Sequence, residues 1–589
     1  MKDKKLYQMA WRLMSSYWHS QEKWKARGLL AGVIALTLGQ VYMLVLLNGW
    51  NNDFYNALQQ RAFESFWPLI GQFAGFAFLH IIFAVYAIYV RQILEIKWRN
   101  WMTDKYLDRW LGHQTYYRLQ VAGQDDMDNP DQRIADDVNS FVNLTLGLFV
   151  GVLKQATSLV AFVVILWNLS GSLDIPLGDT VLSVPGYMVF VTLIYSVVGT
   201  WLAHKVGRKL IRLNYDQQRF EADFRFSMVR VRENSESVAF YGGEKPELQN
   251  FRERFALVIG NFWGLMKRTK LLNFYVNGYA QIAIIVPVLM CAPQYFNGTM
   301  QLGGFMQTIS AFGRVQDALS YFVESYDSIA QYVAVIRRLG GFAGHMEEAE
   351  ALTSSFDFTR NTSNALQLWQ MDIALPDGRQ LAEKLSIAVP AGKRLLISGN
   401  KGQPLLLTQQ IILDNLKNSR AGKTTLLRAI AGIWPYGAGE ISLPTGWRTM
   451  FLPQRPYLPL GSLRRAIYYP QPVPENIDDN LAGLLERFGL QKLAGQLDAV
   501  DDWSRILSLG EQQRLAFIRI LLLRPDIVFL DESTSALDEP REAQAYEILH
   551  QMLPQMAVVS VGHRSSLLNC HDKQLVLAGD GYWKLQDIK

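Results

Sequence analysis

Two cysteines in a chain of 589 residues leave nothing from which a disulfide framework or a thiolate metal cluster could be built. Charge is also sparse. Asp, Glu, Lys and Arg make up 19% of the chain, against 49% hydrophobic residues. A protein of this length that lived wholly in water would carry more charge, so part of the chain belongs in lipid. The basic excess is only +5, which excludes an electrostatic argument for a nucleic-acid partner. The length itself excludes a single hydrophobic core. A contiguous G-x-x-x-x-G-K-[ST] loop is missing too, and that absence matters because its surroundings are present.

Long apolar runs come first. A membrane helix needs roughly 20 mainly apolar residues. Residues 29–48, 69–90, 144–167, 184–203 and 274–292 meet that requirement, and a weaker sixth run begins near Gly303. The first run has no small-residue cleavage site and reads as a retained span. Basic residues crowd the leader and the connections 91–140 and 205–271, whereas 49–68, 168–183 and 293–301 hold only Arg61. The alternation predicts a multi-pass protein with both termini in the cytoplasm. Trp50, Trp67 and Trp167 fall at span ends, where interfacial anchors belong. The two long cytoplasmic excursions are rich in Glu, Arg, Gln and Leu and predict helices. A charge at mid-bilayer costs about 2.5–3.5 kcal/mol on insertion scales. Lys154, Arg314 and Asp317 are therefore candidates to line a polar transport cavity, while Glu324 and Asp327 also fit a span that continues into water.

The C-terminal part changes character. Residues 341–365 turn small and polar and read as a linker, which leaves 1–340 as a membrane domain and 366–589 as a soluble one. In RPDIVFLDESTSALD (524–538), the apolar run Ile527–Leu530 ends in Asp531 and Glu532. A buried strand with paired carboxylates at its tip can hold Mg²⁺ and polarise a water. LSLGEQQR (507–514) lies upstream and SVGHR (560–564) downstream.

This order of elements resembles the nucleotide-binding domain of ABC transporters. DNPDQRIADDV (128–138) and the stretch 214–247 resemble one half-transporter family in particular. That family includes peroxisomal fatty-acyl-CoA transporters and bacterial inner-membrane relatives for cobalamin and peptides. The resemblance covers nearly the whole chain. It implies an α-helical six-span membrane domain of the type I exporter kind, fused to an α/β P-loop ATPase domain. It further implies a homodimer in the bacterial inner (plasma) membrane, ATP and Mg²⁺, a small-molecule or peptide substrate, and no nucleic acid. Tips of the cytoplasmic excursions would seat in grooves of the soluble domains.

Carried over by motif, Gln454 would sense Mg²⁺ and the γ-phosphate. Ser508, Gly510 and Glu511 would form the signature loop that caps ATP on the other copy. Asp531 would hold Mg²⁺ with Thr424 and Gln454, Glu532 would be the general base, Asp538 would close the SALD turn, and His563 would reach the γ-phosphate. The adenine would meet Leu375-Pro376, with Trp369 nearby in the core.

The phosphate loop departs from the pattern. LLISGN (395–400) supplies Gly399 and Asn400. The exit, with Ser419, Gly422, Lys423, Thr424 and Thr425, follows only after an insertion at about 401–418. Such a loop works by converging consecutive backbone N–H groups on phosphate oxygens. Two outcomes stay open. The insertion loops out and the halves meet at small entropic cost, or the anion cradle is broken. The second outcome leaves a non-hydrolysing or ion-gradient-driven transporter as the alternative function.

Overall fold

The computed structural model describes residues 2–121, 129–177, 180–351, 355–399, 422–474, 480–579 and 581–588. Two compact units emerge. One comprises Met1–Leu107 and Asp128–Ala343, the other Asp108–Met127 and Gly344–Lys589.

Helices build the first unit: α1 (Lys2–Trp18), α2 (Lys23–Gln59) and most of α3 (Phe63–Leu111). Helix α4 (Thr115–Val121) belongs to the second unit. The single turn α5 (Pro130–Gln132) and a π-helical stretch, Arg133–Asp137, lead into α6 (Val138–Ser170). Then come a hairpin, β1 (Ser172–Leu177) and β2 (Thr180–Pro185), and α7 (Tyr187–Glu233), α8 (Ser235–Tyr241), α9 (Glu244–Phe296), α10 (Leu302–Glu324) and α11 (Tyr326–Ala351). The hairpin falls where the sequence suggested a plain connection. The two long connections are helical as expected, because α3, α7 and α9 run far past their apolar stretches.

Among the described residues, five helices are long and apolar enough to cross a membrane, in α2, α3, α6, α7 and α9. Helix α10, the expected sixth span, is continuous but falls outside that group. Gln307, Arg314, Gln316 and Asp317 dilute its apolar character. It packs with α6, α7 and α9 around Phe162, Leu166, Tyr187, Cys291, Phe312 and Val315, all buried. Nearer the N-terminus, the Tyr17 ring stacks on Trp98 at 5.4 Å, and Trp98 meets Phe141 edge-on. Asp137, buried at the start of α6, accepts from Arg338 Nε at 3.0 Å and Nη2 at 2.6 Å, and also pairs with Arg133. A buried carboxylate is tolerable only with such bidentate partners. The Arg133–Asp137 stretch is thereby clamped to α11.

The second unit holds two main sheets. A four-stranded sheet has the order β3 (Phe356–Asn361), β7 (Gly437–Pro444), β4 (Ala365–Ala374), β5 (Gln380–Pro390). A six-stranded sheet has the order β14 (Tyr582–Asp587), β13 (Lys573–Gly579), β6 (Arg394–Gly399), β12 (Ala557–Val561), β11 (Ile527–Asp531), β8 (Thr449–Leu452). All of its neighbours run parallel except β14. A short pair, β9 (Gly461–Ser462) with β10 (Val500–Asp501), lies apart. The helices are α12 (422–430), α13 (Leu463–Tyr468), α14 (Asn480–Arg487), α15 (Trp503–Ile506), α16 (Leu509–Leu523) and α17 (Glu539–Met552).

Parallel strands are covered on both faces, so they read as unbroken apolar runs. Ile527–Leu530 and Ala557–Val561 are buried throughout. The strand order leaves β6, β12, β11 and β8 ending along one edge, where an open α/β sheet binds its ligands.

The expected linker over 341–365 requires correction. Helix α11 continues to Ala351, and β3 pairs with β7 from Phe356 to Asn361, so the soluble sheet starts before residue 366. Small and polar residues there suit an exposed edge strand as well as a loop.

On β7, Gly439 has φ +125°, and a Cβ would come within 2.7 Å of the Gln370 carbonyl oxygen and the Met371 Cα. Gly439→Ala is expected to destabilise this unit by about 2–4 kcal/mol. Gly483→Ala, in open space within α14, is expected to stabilise it by about 0.5–1 kcal/mol. Calorimetric unfolding of both variants checks the pair.

Candidate functional site

The strands that end at the common edge bring Gly399 and several polar residues together. Strand β6 ends at Gly399. Strand β11 ends at Asp531 and is followed by Glu532; β12 is followed by His563 and β8 by Gln454. Helix α12 carries Gly422, Lys423, Thr424 and Thr425 in its first turns.

Lys423 lies directly over the end of β6. A Cβ built on Gly399 would sit 3.4 Å from Lys423 Nζ. The strand end and the helix start therefore meet across the interruption. Asn400, Ser419 and the insertion 401–418 lie outside the described residues. Lys423 Nζ is also 3.2 Å from His563 Nδ1 and 2.6 Å from Nε2. His563 Nε2 is in turn 3.1 Å from Glu532 Oε1. Nε2 cannot serve both neighbours at once: Nε2–H donates to the carboxylate, whereas an unprotonated Nε2 accepts from the ammonium. Gln454 Nε2 donates to Glu532 Oε2 at 3.0 Å. Thr424 Oγ1 donates to Asp531 Oδ1 at 3.2 Å.

Two features prepare the carboxylates. Burial raises Asp531 above the ordinary carboxylate range, with the Thr424 hydrogen bond opposing it. Glu532 adopts φ +47°, a left-handed conformation that costs a non-glycine residue about 1–2 kcal/mol. Its amide is held by the Val561 carbonyl at 3.0 Å. Strain of this kind persists where surrounding structure fixes it, often at functional sites.

The other predicted residues lie on nearby helix starts. Ser508 caps α16, and Glu511 Oε2 accepts from Ser508 N at 2.9 Å and Oγ at 2.8 Å, a complete capping box. These hydrogen bonds hold Glu511 below its usual range. Glu511 completes the cap. A Cβ on Gly510 would lie 3.1 Å from the Ala536 carbonyl oxygen, so α16 packs closely on the SALD turn. Asp538 caps α17 by accepting from Arg541 N at 3.0 Å. Trp369, expected in the core, is 61% exposed on β4. Its neighbour Gln370 is left-handed, and the bulge there shifts the alternation of faces.

Sequence reasoning missed Gln513 and Arg519. Buried Gln513 donates to the Gln454 carbonyl at 2.9 Å and to Ser535 Oγ at 3.2 Å, and accepts from Ala536 N at 3.0 Å. It joins α16 to the loops after β8 and β11. Arg519 donates to the carbonyls of Ile467, Tyr457 and Ala466, and burial pushes it down to about 10. Both look like ordinary polar helix residues in sequence. The signal was their place within an otherwise apolar helix face. Tyr117, from α4, lines a groove of about 270 Å³ with Leu427, Arg428, Phe451 and Pro453, within the second unit.

Comparison with known proteins agrees with this geometry. The profile of the ABC transporter transmembrane region 2 matches residues 13–296, and that of the ABC transporter domain matches 418–535, starting at the far side of the interruption. The chain is 34% identical to the inner membrane ABC transporter ATP-binding protein YddA of Escherichia coli K12, over 95% of each chain. It is 33% identical to the ABC transporter D family member 2, chloroplastic, of Arabidopsis thaliana, over 99% of this chain and 89% of the relative. Its fold matches a bacterial Atm1-family ABC exporter solved with ATP bound, with a TM-score of 0.67 at 17% identity, covering 94% of each chain. The chain belongs to the ABC transporter family, in which an ATP-hydrolysing domain is coupled to transport through a membrane domain.

Proposed function

We propose that this protein is a homodimeric half-transporter of a bacterial inner membrane, with six spans per copy and both termini in the cytoplasm. A small molecule or peptide would be its cargo. The observation that carries the ATP-driven reading is the seating of Lys423 on Gly399 despite the interrupted loop. A gradient-driven carrier with an idle soluble unit needs a broken cradle, and that contact opposes it.

In this reading Lys423 and the first amides of α12 hold the β- and γ-phosphates. Glu532 takes a proton from the attacking water. His563 and Gln454 orient that water and the γ-phosphate around Glu532. Ser508, Gly510 and Asp538 act on the nucleotide of the second copy, with Glu511 keeping the signature loop in shape. Thr424, Asp531 and Gln454 offer hard oxygen donors that fit Mg²⁺, and the buried Asp531 carboxylate is a group that a cation would relieve. Bound Mg²⁺ would neutralise charge building on the phosphate oxygens. Lys154, Arg314 and Asp317 line the transport cavity.

Hydrolysis in proteoliposomes is expected to fall at least about 100-fold in Glu532→Gln, which loses the base and keeps the shape. Equal rates in this variant and the parent would refute the assignment. Removing residues 401–418 joins Gly399-Asn400 to Ser419 and restores G-x-x-x-x-G-K-T, so turnover in that variant is expected to match or exceed the parent rate.

Asp531→Asn gives a test of opposite sign. The folded-state value of Asp531 is raised, so its contribution to stability is present below the unfolded value and is lost as pH rises through the folded one. At pH 7 the nucleotide-free Asp531→Asn protein is expected to melt higher than the parent, with the gap closing in acid, while hydrolysis is lost. Thermal melts at about pH 3.5 and pH 7, on either side of the ordinary carboxylate range, check this.

A further inference from the structure

The loops that carry Glu532 and His563 are joined by a second set of contacts, made by residues outside the candidate site. Arg564 follows His563 directly. Its Nη1 donates to the Leu537 carbonyl at 2.6 Å and its Nη2 to the Ser535 carbonyl at 2.8 Å. Both carbonyls belong to the SALD turn, which begins just after Glu532 and is closed on it by Ser535 N donating to the Glu532 carbonyl at 3.0 Å. The guanidinium next to His563 therefore grips the segment next to Glu532.

Glu542 holds this grip in place. It lies in the first turn of α17 and is only 1% exposed. Its Oε1 accepts from Thr534 Oγ1, on the loop after β11. Its Oε2 accepts from Ser566 Oγ at 2.7 Å, in the short turn Ser565–Cys570 that follows His563. Arg564 Nη1 stands 3.9 Å from Oε1. One carboxylate oxygen thus serves the loop of Glu532, and the other serves the loop of His563. From α16, Gln513 fixes the same turn through Ser535 Oγ and Ala536 N.

A buried ion pair is a weak source of stability, because apolar residues of the same volume often do as well. What it supplies is geometry, since a planar guanidinium with two carbonyl acceptors has one orientation. We propose that Glu542 and Arg564 are positioning residues for hydrolysis, which fix His563 relative to Glu532 by tying the loop after β12 to the SALD turn. This rests on the reading of His563 as a γ-phosphate ligand. Asp538 follows Leu537 directly, so a displacement of the SALD turn by the nucleotide of the second copy would pass through Arg564 to His563.

The test uses the full chain in lipid nanodiscs and two readouts. In Glu542→Gln and in Arg564→Gln, kcat for ATP hydrolysis is expected to fall about tenfold with KM for ATP within about twofold of the parent. Arg564→Lys, which keeps the charge and loses the fork, is expected to fall between them and the parent. The second readout is carbethoxylation of nucleotide-free protein by diethyl pyrocarbonate, followed for each histidine by mass spectrometry. His563 is expected to react about fivefold faster in the glutamine variants. Buried His571 and exposed His550, in the same unit, are expected to keep their parental rates. Ser566→Ala removes one hydroxyl and little volume, and gives the same test should Glu542→Gln not fold. Parental kcat in the glutamine variants overturns the proposal, as does an unchanged His563 rate. A rise of His571 in step with His563 also overturns it, because the whole unit has then loosened. Parental turnover in His563→Ala would instead remove the role of His563 itself, so a failure of that reading is seen separately.

Discussion

Everything chemical in the soluble unit depends on parallel strands stopping together. Strands β6, β12, β11 and β8 are neighbours whose ends lie along one edge, and burial on both faces fixes their register. In a strand covered on both faces, a slip by one residue would displace every side chain from its packing. That rigidity is what lets residues as distant in sequence as Gly399, Gln454, Asp531 and His563 occupy one small volume. The two described flanks of the interrupted loop, Gly399 and Lys423, are positioned by the sheet and by α12.

The first unit answers a different constraint. Its helices gain little by excluding water inside a bilayer, so specific polar contacts carry more of the positioning. The fork between Asp137, Arg133 and Arg338 is the clearest case, together with the carbonyl contacts of Gln40 and Asn48.

Much of this was legible in the sequence. Apolar runs found the long helices of the first unit, because lipid thickness imposes a length that composition reveals. Order and spacing found Asp531, Glu532, His563 and Gln454, because each follows an apolar strand. The rest was hidden for physical reasons. Strand β3 sits at a sheet edge and looks like a linker. Trp369 faces solvent because a bulge beside it resets the strand alternation. Gln513 and Arg519 bond mainly to backbone groups, so the sequence marks them only by their place in an apolar helix face. Helix α10 mixes polar and apolar residues so evenly that its length alone does not establish a span.

The left-handed backbone at Glu532 has one more consequence. The carboxylate is aimed by a main-chain torsion as well as by a rotamer, so the acid is immobilised before any nucleotide arrives. Replacing it by glycine would relieve the tension and free the turn, whereas glutamine would keep the tension and remove only the proton acceptor. On the role of base proposed for Glu532, two inactive proteins would result, one silent through slackness and the other silent while still wound.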